Sequence, residues 1–538
     1  MQIDSTIHKA NALVIDSNAN ARSLITSQLR EIGVGAVRSV LRVRDARLVL
    51  ENAPYDLVIC DYHFDGSDES GQDLLDELRR EQLLPYSTVF MMVTAEATYA
   101  KVSEAAEAAL DGYLVKPYTL AALAERVQSA RYRKRVLKDI FEAIEAQEFE
   151  KAAELCLERF EKRKEFWLFA ARIGAELLLR IHRHEEAKKM YEAIMAAKTV
   201  PWAKLGVARS EFAAGNLSSA RRTLESLIGE SPSHADSYDV LGRVHMEQGD
   251  LAAALATYRQ ATELTPGCLL RLQRAGTLSF YGGEREEALR LLERSIASGL
   301  KSKLFDAFSL VLVALMRFDK RDHKGVKHVH EALLRMMERN PEAQRLRRIE
   351  LMVLGLMALQ DRKPGDALKP AQELASTLEL EDADHEVASL ALALWVRLDA
   401  AEPKPELPSL VERVGMRYCV SKASTELLVG MIEGRQDLED LLRNSHAQVF
   451  EIAETAMKHA MRGNARVSVE MLIQRGEDSR NAKLIDMAMS VLKRHAEKIE
   501  SAGELEPRIA ALQARWVKPV GGSAVGRTRS AGGVALRG

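Results

Sequence analysis

LVICDYHFDG, residues Leu57–Gly66, sets four apolar or small residues directly before an aspartate. A short apolar run of this kind reads as a buried strand. Its last residue, Asp61, is then a carboxylate delivered to the strand's own carboxyl end and partly stripped of water. Such a charge is costly unless other groups meet it, so the reading turns on what else converges there.

Four further strand-like runs lie in the first 128 residues: ALVID (Ala12–Asp16), VRSV (Val37–Val40), TVFMMVT (Thr88–Thr94) and DGYLVK (Asp111–Lys116). Each of the five is followed by an amphipathic stretch: ARSLITSQLREIG, VRDARLVLENA, GQDLLDELRREQ, YAKVSEAAEAAL and TLAALAERVQSA. Five β-then-α units in series predict an α/β fold, a doubly wound, five-stranded parallel sheet with helices on both faces. Right-handed crossovers fix its topology. Ligand chemistry in such a sheet sits beyond the carboxyl ends of the strands.

Those ends carry polar groups. Asp16, Asp61 and Thr94 each close their runs, and Lys116 closes DGYLVK immediately before Pro117. Two carboxylates, a hydroxyl and an ammonium around one rim suit acyl-phosphate chemistry. Carboxylates hold a hard divalent cation such as Mg2+. That cation and the lysine neutralise charge on a transferring phosphoryl group, and the threonine hydroxyl bonds a phosphate oxygen.

Residues 1–128 resemble the response-regulator receiver domain of two-component signalling, a flavodoxin-like fold. The resemblance implies that Asp61 is the phosphoacceptor. It places Asp16 and Asp61 on Mg2+, with the backbone carbonyl of His63 as a further ligand. It gives phosphate contacts to Thr94 and Lys116, a switch pair to Thr94 and Tyr113, and a cis peptide bond to Lys116–Pro117. The family usually has two acids after the first strand, and here the pair is Asp16–Ser17. Mg2+ is therefore expected to bind weakly. The loop FDGSDESGQD is longer than usual, lacks the common proline and is acidic at Asp65, Asp68 and Glu69.

From about residue 129 the strand signal vanishes and helices follow one another to about 515. Ala208, Gly242 and Gly276 stand 34 residues apart, as do Gly215, Gly249 and Gly283, and Ala220, Ala254 and Ala288. Pro232 and Pro266 keep the same step. A period of 34 with small residues at fixed offsets marks a helix–turn–helix repeat. The glycine serves the turn, and the proline ends the second helix. This part resembles the tetratricopeptide repeat family, most clearly over 201–302, and an all-α solenoid is expected over 129–515. The segment EPKPELP (402–408) interrupts it. Residues 516–538, Gly-rich and aperiodic, are expected to be disordered. No Pro or Gly separates residues 119–147, so the last receiver helix is expected to run into the first repeat helix, stiffly or with one bend.

The bulk composition sets limits on function. The chain has 538 residues, 47% hydrophobic and 29% charged, and a formal net charge of −2. Nothing in that balance calls for nucleic acid or a membrane surface. The cysteines Cys60, Cys156, Cys268 and Cys419 are far apart and form no CxxC pair, which fits a reducing compartment. No secretory leader or membrane-length apolar run is read, so a cytoplasmic location is expected. His182 and His184, and likewise His323, His328 and His330, read as surface residues. Phe166, Trp167 and Phe169 read as helix packing, and the basic run RYRKR (131–135) as a solvated helix face.

The expected function is a response regulator, phosphorylated on Asp61 by a histidine kinase or phosphotransfer protein. Its output is protein–protein interaction through the repeats, with no enzymatic activity. The partner is another protein or a second copy of the chain. The alternative is a phosphorylation-independent scaffold that keeps the receiver fold.

Overall fold

A computed structural model describes residues 6–64, 71, 74, 75, 78, 84–95, 111–197, 201–266, 268–300, 305–432, 434–499 and 502–517. The sheet holds β1 (Asn11–Ile15), β2 (Ala36–Val40), β3 (Leu57–Asp61), β4 (Val89–Thr94) and β5 (Gly112–Val115). Its order is β2-β1-β3-β4-β5, and all neighbours are parallel. The three inner strands are almost wholly buried, which explains their near-continuous apolar runs: both faces of a parallel sheet are covered.

Alternation along each strand sends side chains to opposite faces. Val14, Ile59, Met91 and Leu114 pack with Ile25 and Leu29 of α1 (Ala19–Glu31). Leu123 and Val127 join them, both from α3 (Leu120–Val136). On the other face Leu13, Ile15, Val58 and Phe90 pack with Val43, Ala46 and Val49 of α2 (Val43–Asn52) and with Leu74, Leu75 and Leu78. The acidic loop residues Asp65, Asp68 and Glu69, most of the third amphipathic stretch and the whole of the fourth lie outside the described residues, as does 518–538.

Helix α3 ends at Leu137, whose φ of −102° and ψ of 14° break the helical run. α4 (Lys138–Glu145) begins at the next residue. The expected bridge thus carries one bend. α5 (Phe149–Glu161) and α6 (Trp167–Arg180) follow, and beyond them the described residues are helical, with short turns, as far as Trp516. The segment 402–408 forms the connection between the helices His385–Ala401 and Leu407–Tyr418 and the first residues of the second.

One turn geometry recurs through the helical region. At Gly215, Gly249 and Gly283 the backbone is left-handed, with φ of 81°, 75° and 79°. The N–H of each donates to the carbonyl three residues back, and the next N–H to the carbonyl five residues before itself. This pair of bonds closes a helix through a left-handed residue. The same two bonds and a positive φ recur at Gln147, His182, Arg321, Arg362 and Gly463. The repeat architecture therefore continues where the glycine period is lost. Side-chain-bearing residues fill four of these five turns, and the spacing grows to 38 and then 41 residues from Gly283 through Arg321 to Arg362.

The chain divides into two compact units, with the boundary after Val244. In the second, one continuous apolar core runs from Phe280 to Leu442. No helix among the described residues is long and apolar enough to cross a membrane.

Candidate functional site

Strand register builds the site. Ile15 pairs with Cys60, so Asp16 stands level with Asp61. Asp61 pairs with Val93, and Thr94 with Val115, so Thr94 and Lys116 reach the same edge. The Lys116 N–H donates to the Thr94 carbonyl at 2.7 Å and locks that end of the sheet. The cis peptide bond Lys116–Pro117 is present.

The Lys116 Nζ lies 2.9 Å from Asp61 Oδ2 and 3.1 Å from Asp16 Oδ2. Asp16 is fully buried, while the Asp61 side chain keeps 13% of its exposure. Asp61 is thus the carboxylate a reagent can reach. Their second oxygens are also held: Asp16 Oδ1 accepts from the Asn18 N–H at 2.7 Å, and Asp61 Oδ1 from the Tyr62 N–H at 2.8 Å.

These surroundings set the charges. Burial pushes the Asp61 carboxyl up; the Lys116 hydrogen bond pulls it down, the Asp16 charge adds to the rise, and the net shift is upward. Burial works against the Lys116 ammonium, but its bonds to Asp61 and Asp16 outweigh that and raise it. The Cys60 thiol is pushed well up by burial and then by the two carboxylates, so it is inert as a nucleophile.

Thr94 is fully buried, and its side chain hydrogen-bonds Tyr113. Tyr113 is half-buried at the sheet edge, so the two expected switch residues already touch. His63 lies two residues past Asp61, exposed, with its ring edge-on to Tyr62 at 4.7 Å. The structure therefore brings Asp16, Asp61 and Lys116 into direct contact, and sets Thr94 and Tyr113 beside them.

Two supporting residues escaped the sequence reading. Asn18 caps α1 by accepting from the N–H groups of Asn20 and Ala21, at 2.9 and 3.1 Å. Arg22, one turn in, donates from Nη1 to the carbonyls of Asp16 (2.7 Å) and Ser17 (3.0 Å). The signal was available: an asparagine immediately before an amphipathic run is a helix start, and a residue four further on shares its face.

The donor set fits Mg2+. Asp16 and Asp61 already present hard oxygens to one cation, the Lys116 ammonium. No cluster of three metal-ligating side chains occurs among the described residues.

One expectation is corrected. RYRKR is only in part a solvated face: Arg135 is exposed, Arg131, Tyr132 and Arg133 are half-buried, and Lys134 is buried in a joint. Lys134 is 8% exposed; its Nζ meets Asp111 Oδ1 at 3.0 Å and the Tyr86 carbonyl at 2.5 Å, over the Phe141 ring. Arg133 donates to the Asp111 carbonyl at 2.8 Å and lies over Phe169. Tyr132 donates to Glu165 and packs edge-on against Phe166. The Phe166/Trp167/Phe169 cluster is accordingly packing. Charges concentrate here because the joint holds an acid, Asp111, that the run itself does not reveal.

The profile of the response regulator receiver domain family matches residues 12–128, and a tetratricopeptide repeat profile matches 205–267. Chemotaxis protein CheY-3 of Vibrio cholerae serotype O1 is 32% identical over 115 residues, which is 21% of this chain and 86% of that protein. Chemotaxis protein CheY of Pseudomonas aeruginosa is 32% identical over 116 residues, 22% of this chain and 91% of that protein. Among solved structures, a response regulator receiver domain protein from Clostridium thermocellum is 26% identical, with a TM-score of 0.22, and covers 24% of this chain and 98% of its own. A tetratricopeptide repeat protein from Parabacteroides merdae is 12% identical, with a TM-score of 0.32, over 56% of this chain and 99% of its own.

Proposed function

The chain belongs, through residues 12–128, to the response-regulator receiver family, and on that premise we propose that it is phosphorylated on Asp61. The donor is the phosphohistidine of a histidine kinase or phosphotransfer protein. One observation carries the reading: the reachable Asp61 carboxylate, the buried Asp16 carboxylate and the Lys116 ammonium meet within 3.1 Å at the sheet's carboxyl edge.

An Asp61 carboxylate oxygen forms the new O–P bond as the P–N bond of the phosphohistidine breaks. The imidazole leaves with the electron pair and takes up a proton. Lys116 shifts from carboxylate to phosphoryl oxygen, where its charge matters more as negative charge gathers. Thr94 bonds the phosphoryl group and draws Tyr113 after it. Asp16, Asp61 and the His63 carbonyl would hold Mg2+, which supplies further neutralisation of the phosphoryl oxygens.

The output is binding rather than catalysis, through the repeat-like helices, in the cytoplasm. Phosphorylation adds about −1.5 to −2 charges at Asp61. Thr119, three residues past Lys116, caps α3, and that helix ends in the Asp111–Lys134 joint, so one helix connects the site to the helical region. Incubation with acetyl phosphate and Mg2+ tests the reading: label on the wild type and none on Asp61→Asn supports it, and unlabelled wild type refutes it.

Ser17 favours a second reading. With no second acid beside Asp16, the Lys116 bridge is itself a stable resting arrangement. The receiver would then be a scaffold that takes no phosphate.

A further inference from the structure

A cavity of about 450 Å3 lies in the second unit, between the helices Leu407–Tyr418 and Ala465–Ser479 and the segment that follows Thr377. That volume suits one side chain and its neighbours or a small ligand. Leu410 and Val414 are buried in its lining, and Met416 and Ile452 add apolar surface. Four arginines line it as well: Arg413, Arg417, Arg475 and Arg480.

The arginines are not all matched. Arg413 and Arg480 share one carboxylate, Glu379, at 3.8 and 2.7 Å. Arg417 is buried and, among the described residues, donates to the backbone carbonyls of Leu378 and Ala383. Trp516 stacks on Arg417 and Arg480 from beside the cavity. Arg475 is exposed at the rim and makes no ion pair among the described residues. Beside Arg417, the Tyr418 hydroxyl is buried without a hydrogen-bond partner among the described residues. A buried hydroxyl left unpaired is costly and uncommon.

We propose that this cavity binds a carboxylate borne on an apolar body, the acidic side chain of an extended segment from a protein partner. Guanidinium groups present paired N–H donors matched to a carboxylate. The apolar lining takes the flanking side chains. Exposed Glu412 and Asp478 at the rim repel a densely anionic ligand and tolerate a peptide with one isolated acid. The inference rests on the helical region being a partner-binding surface, and not on phosphorylation of Asp61.

The test is fluorescence polarisation of the full chain with a labelled peptide amide, Gly-Leu-Glu-Phe-Gly, against the same peptide with Gln for Glu. The acidic peptide should bind saturably, and the Gln form at least about tenfold more weakly. Arg475→Ala should weaken binding about tenfold. Arg413→Ala, which removes a second exposed guanidinium of the lining, should weaken it as well. Arg417→Gln also frees two backbone carbonyls, so the other two variants carry the test. Equal binding of the two peptides, or no binding of either by the wild type, overturns the proposal. Binding that survives in both Arg475→Ala and Arg413→Ala overturns the cavity but leaves the surface reading standing. Phosphotransfer to Asp61 is measured separately and fails or holds on its own.

Discussion

Lys116 is shared between two carboxylates: its Nζ stands 2.9 Å from Asp61 and 3.1 Å from Asp16. Its raised pKa keeps it charged throughout the neutral range. Neutralisation by this ammonium has to move from the carboxylates to the phosphoryl group during transfer. Lys116→Met should therefore slow labelling of Asp61 by acetyl phosphate by roughly 100-fold, the scale for losing one preorganised charge donor. Single-turnover incorporation of labelled phosphate measures it, and an unchanged rate would remove Lys116 from the mechanism.

The Asp61 carboxyl, raised by burial and by Asp16, gives a stability effect with a definite sign. The folded chain keeps the Asp61 proton at a pH where the unfolded chain has lost it. Stability from this group is complete below the unfolded value, about 3.9, and is lost as pH rises through the higher folded value. Asparagine imitates the protonated form at every pH. Asp61→Asn should then be more stable than the wild type near neutrality, by on the order of 1 kcal/mol, and the gap should close as pH falls into the carboxylate range. Calorimetry of the full chain between pH 4 and 8 (about the span that brackets carboxylate titration) gives the comparison.

Ser17 stands where a second acid would strengthen a cation site, next to Asp16 and with its carbonyl held by Arg22. Adding a carboxylate raises the charge count that tunes affinity for a hard cation. Ser17→Asp should tighten Mg2+ by about tenfold or more, and Asp61→Asn should weaken it. Isothermal titration with magnesium chloride reads both without any phosphotransfer.

The recurring turn separates two roles of glycine. Gly215 has a φ of 81°, and nothing lies within 4 Å of where a Cβ would stand, so Gly215→Ala pays only backbone strain, about 1–2 kcal/mol. Gly174, inside α6, would set its Cβ 2.7 Å from the Cβ of Cys156. Gly174→Ala must therefore push α5 and α6 apart, at a cost of about 1–3 kcal/mol. Urea denaturation should show both losses, and a change in near-ultraviolet circular dichroism only for Gly174→Ala, since only that substitution shifts packing around Phe160 and Trp167.

The legible parts of the sequence were those whose signal is local. The strand runs before Asp16, Asp61, Thr94 and Lys116 gave both the sheet and its polar edge, because burial on two faces leaves an unbroken apolar word. The turn glycines gave three repeats. At Arg321 and Arg362 the backbone keeps the same left-handed turn and the same pair of hydrogen bonds, but a side-chain-bearing residue at a longer spacing erases the period. RYRKR misled for the opposite reason. Its partners, Asp111 and the Tyr86 carbonyl, lie far back in the chain, and a charge run says nothing about what tertiary structure brings to it.

That joint supplies a last expectation. Lys134 is 8% exposed, and its partner Asp111 has a side chain 1% exposed. Asp111 also accepts from the Phe90 N–H through Oδ2 at 3.0 Å. Arg133 also meets Asp111 Oδ1, at 3.4 Å, so losing Lys134 leaves the buried carboxylate under-paired rather than stranded, at a cost of about 1–3 kcal/mol for the lost hydrogen-bond partner. Lys134→Met should lose that much in denaturant unfolding and should speed hydrogen exchange at the Phe90 amide. The double variant Lys134→Met/Asp111→Asn should recover part of the loss, because the under-paired buried carboxylate is gone, and a double-mutant cycle isolates the coupling. Asp111 precedes β5 and Lys116 follows it, so the joint lies at the opposite end of that strand from the site. Labelling of Asp61 by acetyl phosphate should therefore keep its wild-type rate in the double variant. A slowed rate would mean that the joint and the phosphoacceptor edge respond as one body.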